Sequence, residues 1–563
     1  FDATSGSITM DGTARLQLNS TVTSLGTLDD AAGTVEYDQA GTQSILSAHT
    51  YYDLEIDGSG SKRTDGNTTT NGDVTITAGT LDIDFGNDNL TIGGNFANSG
   101  TLSASNQTIT FSGSTQNTSS IINDNTVDLV VNKSSTGGIT FQGNSTFDEV
   151  TISDGYLDIG AYTFNADNTI SIAADGTLQI PNGGTFDADG QLTSSGEIDF
   201  TGSGSQGDLI CSNTSANTFG TLDGAAGTVT FDGGSSQAIT AATFFNLKNS
   251  NTNGLTMSGD ATVNGELNLN VAADITTGAN TLTIGSSGSI ANAAADRHIN
   301  VDNTSGYLGK TFGSATDFSY PVGNGTILRP IKLTTSAGST TFKLRYDDNR
   351  YGDGTVSGGG FASGHISGYD GGNSDVTKGY YYDIQKTSGS ANAKLYVSWT
   401  SDDDYGTGGN VFAPNFTGIA WGFWDGAKGD DITSTASGSV ATGNITTDNF
   451  VTNWSNDFFT LGSTDGNNNL PIDLLSFEGE CIDNKTHIEF VVASQVNNEY
   501  FTIKRSKNLF DWNEIGHILG GGTNNEEITY NFTDLSPLSG DNYYKLSQTD
   551  IDGTTKSFNP IVV

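Results

Sequence analysis

The sequence predicts an all-β protein in which an N-terminal β-solenoid (β-helix) is followed by two β-sandwich domains. Three observations indicate this class. Gly accounts for 74 of the 563 residues and Pro for only 7. Short segments alternate apolar and polar residues between Gly, Asn, Asp and Ser turns, and these segments recur at a nearly fixed period. Because apolar residues make up only 34% of the chain, the composition is unlike that of a helical enzyme.

Residues 1–300 are predicted to form the solenoid. The segments Gly155-Tyr-Leu-Asp-Ile, Gly176-Thr-Leu-Gln-Ile and Gly196-Glu-Ile-Asp-Phe begin at nearly equal intervals along the chain. Each such rung would bury alternate Ile, Leu, Val or Phe side chains inside a narrow coil, with the next rung about 4.8 Å away. Roughly 14 rungs are expected at this spacing, in a rod about 65 Å long.

A longer duplication overlies the rungs. Residues 25–38 match residues 219–232 at ten of fourteen positions, with an offset of 194. Both copies continue into a Gln-x-Ile segment, at Gln43 and at Gln237. Internal duplication of this kind is typical of a scaffold and says little about an active site.

Two further domains are predicted after the solenoid. Residues 301–462 contain longer alternating segments, such as Ala393-Lys-Leu-Tyr-Val-Ser-Trp, and are assigned to an antiparallel β-sandwich. Residues 463–469 are rich in Gly, Asn, Ser and Thr and are assigned to a linker. Residues 470–563 contain about seven alternating segments, which fit an immunoglobulin-like or fibronectin type III-like sandwich.

Two C-terminal segments resemble a module of a known group of proteins. Leu470-Pro-Ile-Asp-Leu-Leu-Ser-Phe and Asn542-Tyr-Tyr-Lys-Leu-Ser-Gln-Thr-Asp-Ile-Asp-Gly resemble the module that precedes the type A sorting domain in Bacteroidota surface proteins exported by the type IX system. The solenoid repeats resemble adhesin-like segments of such proteins. The resemblance implies an extracellular or cell-surface location and the type IX export machinery as a partner. With no sorting domain after it, the end at Val563 fits either a mature C-terminus of such a protein or a chain that has been shortened artificially.

The charge and the apolar pattern exclude several classes of partner. The net charge is -42 at pH 7, which repels phosphate backbones, so nucleic acid and anionic lipid are not expected ligands. No apolar run approaches the length that a membrane-spanning helix needs, so no membrane span is predicted. The two cysteines, Cys211 and Cys481, lie far apart in the chain and do not form a disulfide framework or a metal motif.

No catalytic residues are predicted. Acidic residues recur along the rungs, but they alternate to the solvent side of each strand, and only five Lys or Arg precede Arg297. A solvated acidic face is therefore favoured over calcium binding, and calcium binding over catalysis. The five histidines are scattered without metal-ligand spacing, and no nucleophile elbow, phosphate-binding loop or zinc-protease motif is present.

Two acidic loops are candidate Ca²⁺ sites, because carboxylate and carbonyl oxygens are the ligands that Ca²⁺ prefers. Neither loop follows the EF-hand template, so a solvated turn is the favoured alternative for both. The candidate ligands are Asp347, Asp348, Asp353, Asp402, Asp403 and Asp404. Calcium is therefore a candidate cofactor and no other cofactor is expected.

The aromatic residues Trp421 and Trp424 are candidates for a platform on which a glycan would stack. Alternation suggests that at least half of the aromatic residues of this region, Trp421 and Trp424 included, point inward, so a place in the sandwich core is the favoured alternative.

The sequence therefore predicts a secreted, surface-exposed, non-enzymatic adhesin-like protein. Its expected partners are the export machinery, a glycan or cell-surface ligand, and other copies of itself in a fibre. A polysaccharide-degrading β-helix enzyme and a type IX cargo held by outer-membrane translocon components are the alternatives.

Overall fold

The computed structural model describes most of the chain. The described residues are 2–28, 31–134, 136–200, 206–223, 226–301, 305–347, 375–376, 381–399, 419–424, 434–438, 443–447, 457–463, 474–492, 495–509, 511–524, 527–551 and 555–563. Within these ranges the secondary structure is β-strand, with no helix, which confirms the predicted all-β class.

The first half of the solenoid consists of short strands separated by turns. These strands are β1 (Ser7–Ile8), β2 (Arg15–Leu18), β3 (Thr27–Leu28), β4 (Thr34–Tyr37), β5 (Gln43–Ile45), β6 (Thr50–Tyr51), β7 (Asp53–Ile56), β8 (Ser61–Thr64), β9 (Thr68–Thr70), β10 (Val74–Ile76), β11 (Thr80–Asp82), β12 (Leu90–Ile92), β13 (Phe96–Asn98), β14 (Thr101–Ser103), β15 (Thr108–Gly113), β16 (Gln116–Ser119), β17 (Asp128–Lys133), β18 (Gly138–Phe141), β19 (Ser145–Phe147) and β20 (Val150–Asp158).

The second half continues in the same way and includes two long strands. These strands are β21 (Thr163–Ala166), β22 (Ile170–Gln179), β23 (Thr185–Ala188), β24 (Leu192–Asp199), β25 (Asp208–Cys211), β26 (Thr218–Asp223), β27 (Thr228–Phe231), β28 (Gln237–Ile239), β29 (Ala242–Phe244), β30 (Asn246–Asn249), β31 (Leu255–Met257), β32 (Ala261–Val263), β33 (Glu266–Leu269), β34 (Ile275–Thr276), β35 (Thr281–Ile284), β36 (Ser289–Ala291), β37 (Ile299–Asn300), β38 (Tyr307–Phe312), β39 (Asp317–Tyr320) and β40 (Val322–Gly323).

Parallel pairing between successive turns defines a β-solenoid over residues 7–323, with about 15 turns. One sheet runs in the order β19-β21-β23-β25-β27-β30-β33-β36, and another contains β29-β32-β35-β38. The parallel ladder extends beyond residue 300, because β37 pairs in parallel with β40. The solenoid predicted from the sequence is confirmed, whereas the predicted domain boundaries stay predictions.

Alternate side chains of each rung fill the interior. In β22, Ile170 and Ile172 are buried, whereas Ser171 between them lies on the outer side. Aromatic residues stack from turn to turn: the ring centroids of Phe147 and Phe164 are 5.4 Å apart, and those of Phe164 and Phe186 are 5.5 Å apart. Burial of these rings stabilises the coil and fixes which residues face outward.

The structure explains why a glycine opens the repeat segments. Gly79 has a φ of 73°, a conformation that other residues rarely adopt. A Cβ atom at Gly100 would lie 2.6 Å from the carbonyl oxygen of Gly79, and one at Gly196 would collide with the carbonyl oxygen of Gly176. Gly79 and Gly100 therefore stack at one corner of the coil, and Gly176 and Gly196 stack at another. At both corners the backbone of each turn approaches the previous one too closely for a side chain.

The sequence duplication is also a duplication of contacts. The buried Gln43 side chain donates from Nε2 to the carbonyl oxygens of Leu18 at 2.8 Å and Ser20 at 2.9 Å. Gln237 donates in the same way to the carbonyl oxygens of Cys211 at 2.7 Å and Asn213 at 2.6 Å. Each glutamine thus satisfies two carbonyl groups at a corner of the preceding turn.

Antiparallel strands follow the last turns. They are β41 (Ile331–Thr335), β42 (Thr340–Asp347), β43 (Asp375–Val376), β44 (Tyr381–Ser388), β45 (Ala393–Trp399), β46 (Ile419–Trp424), β47 (Ser434–Gly438), β48 (Gly443–Thr447) and β49 (Asp457–Ser463). Strand β38 pairs in parallel with β35 and antiparallel with β42, which in turn pairs with β44. The solenoid sheet therefore continues into an antiparallel sheet within one compact unit that contains Phe1–Asn349 and Tyr381–Tyr396.

The C-terminal residues form a sandwich-like pair of sheets. Their strands are β50 (Leu474–Ile482), β51 (Lys485–Val492), β52 (Gln495–Ser506), β53 (Trp512–Asn524), β54 (Ile528–Asp534), β55 (Tyr543–Asp550), β56 (Thr555–Ser557) and β57 (Ile561–Val562). One sheet has the order β50-β51-β54, and the other contains β53-β52-β55-β56, with β57 beside β55. Phe490, Phe501 and Leu546 are fully buried in the core between them.

Candidate functional site

Most of the site residues predicted from the sequence lie outside the described residues. These are Asp348, Asp353, Asp402, Asp403 and Asp404. Asp347 is the last residue of β42, and the backbone of Trp421 and Trp424 lies in β46, opposite Leu461 and Phe458 of β49. The side chains of these three residues also fall outside the described part, so the calcium and glycan sites predicted there stay predictions.

A column of hydroxyl-bearing side chains follows one outer face of the solenoid. Strand register places these residues directly above one another on nine successive rungs, and eight of the nine are Thr or Ser. The column, called here the threonine column, consists of Thr50, Thr69, Thr91, Thr110, Val130, Thr151, Ser171, Thr193 and Thr218. From Thr69 onward, each member lies between two buried positions, so the burial of its neighbours holds its side chain at the surface.

The positions beside the threonine column are mostly uncharged. The outward residues that precede it by two positions on successive rungs are Asn67, Asn89, Thr108, Asp128, Glu149, Thr169 and Gln191. Some of these side chains also join adjacent turns: Asn67 Oδ1 accepts the backbone N–H of Asn89 at 2.8 Å, and Asn89 Oδ1 accepts that of Thr108 at 2.9 Å. A face of this length on which Asp128 and Glu149 are the two charged residues among the sixteen named is unexpected in a chain with a net charge of -42.

A second run of the same kind begins one turn further along. Thr243, Thr262 and Thr283 are in register on β29, β32 and β35. The inward-facing Phe219 and Phe244 have ring centroids 5.5 Å apart, so the second run begins near Thr218, the last member of the threonine column. The line then continues through Gly309 of β38 and Lys343 of β42.

This second run forms the floor of an open trough with a volume of about 500 Å³. Its lining is dominated by Thr, Ala and Gly, with one carboxylate and one ammonium group. The lining residues are Ala242, Thr243, Asp260, Ala261, Thr262, Thr281, Thr283, Gly309, Thr341, Lys343 and Thr387. The volume is typical of a small-ligand site, and we refer to this feature as the trough.

A network of polar side chains stands at the side of the trough. The Tyr307 hydroxyl donates to Asp383 Oδ2 at 2.7 Å and accepts from Gln385 Nε2 at 2.8 Å. Arg345 Nε lies 3.1 Å from Asp383 Oδ2, and Lys343 Nζ lies 4.0 Å from the centroid of the Tyr307 ring. Burial, followed by the charge of Asp383, raises the pKa of Tyr307, so this hydroxyl stays protonated and holds the network in place.

Carboxylates are concentrated on other faces of the solenoid. Burial raises the pKa of Asp187, and the neighbouring Asp189, Asp232 and Asp167 raise it further. Burial, with Glu197 and Asp223 nearby, raises the pKa of Asp199 to about 6. These acidic residues lie on outer faces of the solenoid, as the alternation along the rungs predicts, and like charges there repel one another.

One group of acidic side chains has the geometry of a metal site. Ligand oxygens of Glu36, Glu55 and Asp57 lie within 4.8 Å of one another. Arg15 Nη1 lies 2.8 Å from Glu36 Oε2 and 2.7 Å from Glu55 Oε2. The guanidinium group thus already balances this charge, and a bound cation would have to displace it.

Three lysines have buried side chains, a feature that the sequence analysis missed. Lys62, Lys133 and Lys310 are at most 4% exposed. Lys310 Nζ donates to the carbonyl oxygens of Gly285 at 2.6 Å and Gly288 at 2.7 Å. Burial lowers the pKa of Lys310, and it lowers that of Lys133 to about 8. These ammonium groups satisfy turn carbonyls, and their signal in the sequence is a lone Lys at an inward-facing position of a rung.

Comparison with known proteins gives no family. No protein-family model and no curated protein matches the chain. One solved structure that matches is the crystal structure of β-1,2-glucanase from Parabacteroides distasonis, with 7% sequence identity and a TM-score of 0.14, covering 44% of this chain and 36% of that chain. The chain thus spans about a third of the length of that structure, and a likeness at this level supports no conclusion about activity. Within the described residues, no helix has the length and apolar character needed to cross a membrane.

Proposed function

We propose that the protein is a secreted, surface-exposed adhesin-like structural protein without enzymatic activity, exported by a type IX system in a member of the Bacteroidota. The observation that carries the proposal is the ladder of parallel strands over residues 7–323. Because each turn bonds to the next through its backbone, the ladder makes a stiff spacer from a sequence with few apolar residues. Such a fold fits an adhesin-like protein.

The C-terminal sandwich supports the export part of the proposal. The segment Asn542-Tyr-Tyr-Lys-Leu-Ser-Gln carries part of the resemblance, and from Tyr543 onward it belongs to β55, an interior strand of one sheet. Tyr544 is buried, and its hydroxyl donates to Thr486 Oγ1 at 2.9 Å and lies 3.0 Å from Asp534 Oδ2. Tyr544 of the resembling motif thus belongs to the hydrophobic core of this module. This is expected if the module is a folded passenger of the export system.

The lining of the trough supports a non-enzymatic role. Glycoside hydrolysis commonly uses two carboxyl groups on opposite sides of the scissile bond. Among the lining residues of the trough, Asp260 is the sole carboxylate. The polysaccharide-degrading alternative therefore gains no support from this feature.

The location is tested in the source organism by protease accessibility on intact cells. We expect the protein to be cleaved by added protease in the wild type, and to accumulate inside cells that lack a type IX translocon component. A protein that resists added protease on intact wild-type cells and is also missing from the culture medium would contradict a surface location. Release of reducing sugar from a panel of acidic and neutral polysaccharides would contradict the non-enzymatic part.

A further inference from the structure

We propose that the trough binds a segment of a neutral polysaccharide. This inference names a ligand for the proposed surface protein, and it rests on that proposed function only for its biological setting. The site differs from the predicted Trp421 and Trp424 platform, because its lining residues belong to β29, β32, β35, β38, β42 and β44 or lie directly beside these strands.

The geometry suits an extended chain. The lining residues follow six strands that lie side by side in the order β29-β32-β35-β38-β42-β44. Five spacings between neighbouring strands give a length of about 24 Å. At the centre of the line, Gly309 has no side chain, so the floor is open between Thr283 and Lys343. A linear polymer several sugar units long would fit along this line.

The chemistry of the floor matches that of a sugar. Thr243, Thr262 and Thr283 each present a hydroxyl group, which donates and accepts hydrogen bonds, and a methyl group. Sugar hydroxyls also donate and accept, and the C–H faces of sugar rings pack against methyl groups. An array of identical threonines therefore offers the same set of contacts at each step of a repeating polymer.

The charge of the trough favours a neutral ligand. Its two charged groups, Asp260 and Lys343, are of opposite sign. Within the described residues, the carboxylate at this side of the trough, Asp383, is paired with Arg345, and Lys343 Nζ lies instead over the Tyr307 ring. The ammonium group is thus positioned to donate to a sugar hydroxyl, whereas the net charge of -42 would repel a polyanion at long range.

The threonine column extends this surface. Its last member, Thr218, lies near Thr243, because the adjacent Phe219 and Phe244 are in ring contact, and its members are outward-facing and uncharged. A polymer anchored in the trough would have further hydroxyl groups to contact beyond it. Contacts that are weak one by one add up along a polymer.

The proposal is tested by affinity electrophoresis of the full chain in gels that contain laminarin, mannan, xyloglucan, alginate or polygalacturonate, at low and high salt. Two variants change the trough: Lys343→Gln removes the ammonium group, and Thr262→Arg places a long side chain across the floor. Two matched controls, Lys248→Gln and Thr185→Arg, change outward-facing residues of the sheet that contains β23 and β30.

We expect retention by at least one neutral polysaccharide, with little dependence on salt. The affinity should fall about tenfold in Lys343→Gln, as for loss of a hydrogen bond to a charged group, and be abolished in Thr262→Arg, with both controls like the wild type. Retention by acidic polymers alone, equal loss in the controls, or no retention by any neutral polymer would each overturn the proposal. If the protein is exposed on the cell surface but binds no neutral polysaccharide, the proposed ligand is refuted and the proposed function stands.

Discussion

Lys133 shows how a charged residue is used inside the solenoid. Its side chain is 1% exposed, and its ammonium group donates to the carbonyl oxygen of Ser112. Burial disfavours the charged form and lowers the pKa of Lys133 to about 8. The lysine satisfies a backbone carbonyl near the end of β15 at the cost of a buried charge near neutral pH.

This cost predicts a pH dependence of stability. Native Lys133 loses its proton near pH 8, whereas a lysine in the unfolded chain keeps its proton until about pH 10.4. Between these values the unfolded state binds more protons, so stability rises with pH. We expect the wild type to gain about 3 kcal/mol of unfolding free energy over Lys133→Met across this range.

Urea unfolding followed by circular dichroism, at pH 7 and at pH 10.5, measures the difference. The comparison between variants cancels the titration of all other groups and any constant effect of the substitution. Parallel pH profiles of the two proteins would show that Lys133 keeps an ordinary pKa.

Asp199 makes the folding stability depend on pH in the opposite direction. Its pKa is raised to about 6 by burial and by Glu197 and Asp223, compared with about 3.9 in an unfolded chain. The native state binds more protons between these values, so stability falls as the pH rises from about 4 to about 6. We expect Asp199→Asn to be more stable than the wild type at pH 7 by about 1 kcal/mol, after discounting for solvent screening, and to lose this advantage at pH 4.

Thermal unfolding at the two pH values tests this prediction. The exposed Asp175→Asn serves as the control. An equal gain in both variants at pH 7 would show a general effect of net charge in place of a local one.

At the scale of the element, the corner that contains Gly79 and Gly100 limits which residues its turns tolerate. Gly79 has a φ of 73°, and a Cβ atom there would collide with the carbonyl oxygen of Gly58 and lie 2.7 Å from that of Gly60. We expect Gly79→Ala to lower the unfolding free energy by about 3 kcal/mol, because both the backbone conformation and the contact are unfavourable. Gly234→Ala is the control, since no atom lies within 4 Å of a Cβ placed there.

The measurement is urea unfolding followed by circular dichroism. A loss of similar size in the two glycine variants would show that the corner does not require glycine at position 79.

The rungs themselves were predictable because each carries its own pattern. Alternation in segments such as Ile170-Ser-Ile and a glycine at a fixed place indicate a short strand without reference to the rest of the chain. The threonine column was not predictable. The interval between its members changes from one turn to the next, as the positions of Thr69, Thr91 and Thr110 show. Because turn lengths vary, the residues that lie above one another are known only once the register is known.

The trough could not be predicted from the sequence for a related reason. It requires β38 to pair in parallel with β35 on one side and antiparallel with β42 on the other. Nothing in the local pattern of Tyr307–Phe312 indicates this change of direction. Buried lysines such as Lys62 also contradict the general rule that charged residues face water, and only the geometry of the turn carbonyls explains them.

At the scale of the whole molecule, charge opposes folding. The chain carries 64 acidic and 22 basic residues. Carboxylates lie close together in places: in addition to burial, the charge of Asp189 raises the pKa of Asp187. Salt screens such repulsion, so we expect the melting temperature to rise with ionic strength, by roughly 1 °C for each kcal/mol of repulsion removed from a chain of this length. Sodium chloride and choline chloride should act alike, and a melting temperature that is unchanged or lowered by both salts would contradict this prediction.

The matching corners at Gln43 and Gln237 have a consequence for how such a chain can change its length. Deleting residues 39–232 would join Asp38 to Gly233, and the side chain of Gln237 would then stand over the carbonyl groups of Leu18 and Ser20 that Gln43 now occupies. We expect the shortened chain to fold with the strand content and cooperative unfolding of a smaller solenoid, as circular dichroism and calorimetry would measure. Unfolded or aggregated protein would show that the two corners are not interchangeable.

If the two corners are interchangeable, a single recombination event between the copies removes or adds a block of turns without creating a new joint. The reach of the protein is then a heritable quantity that selection can lengthen or shorten in whole steps, independently of the trough and of the C-terminal sandwich.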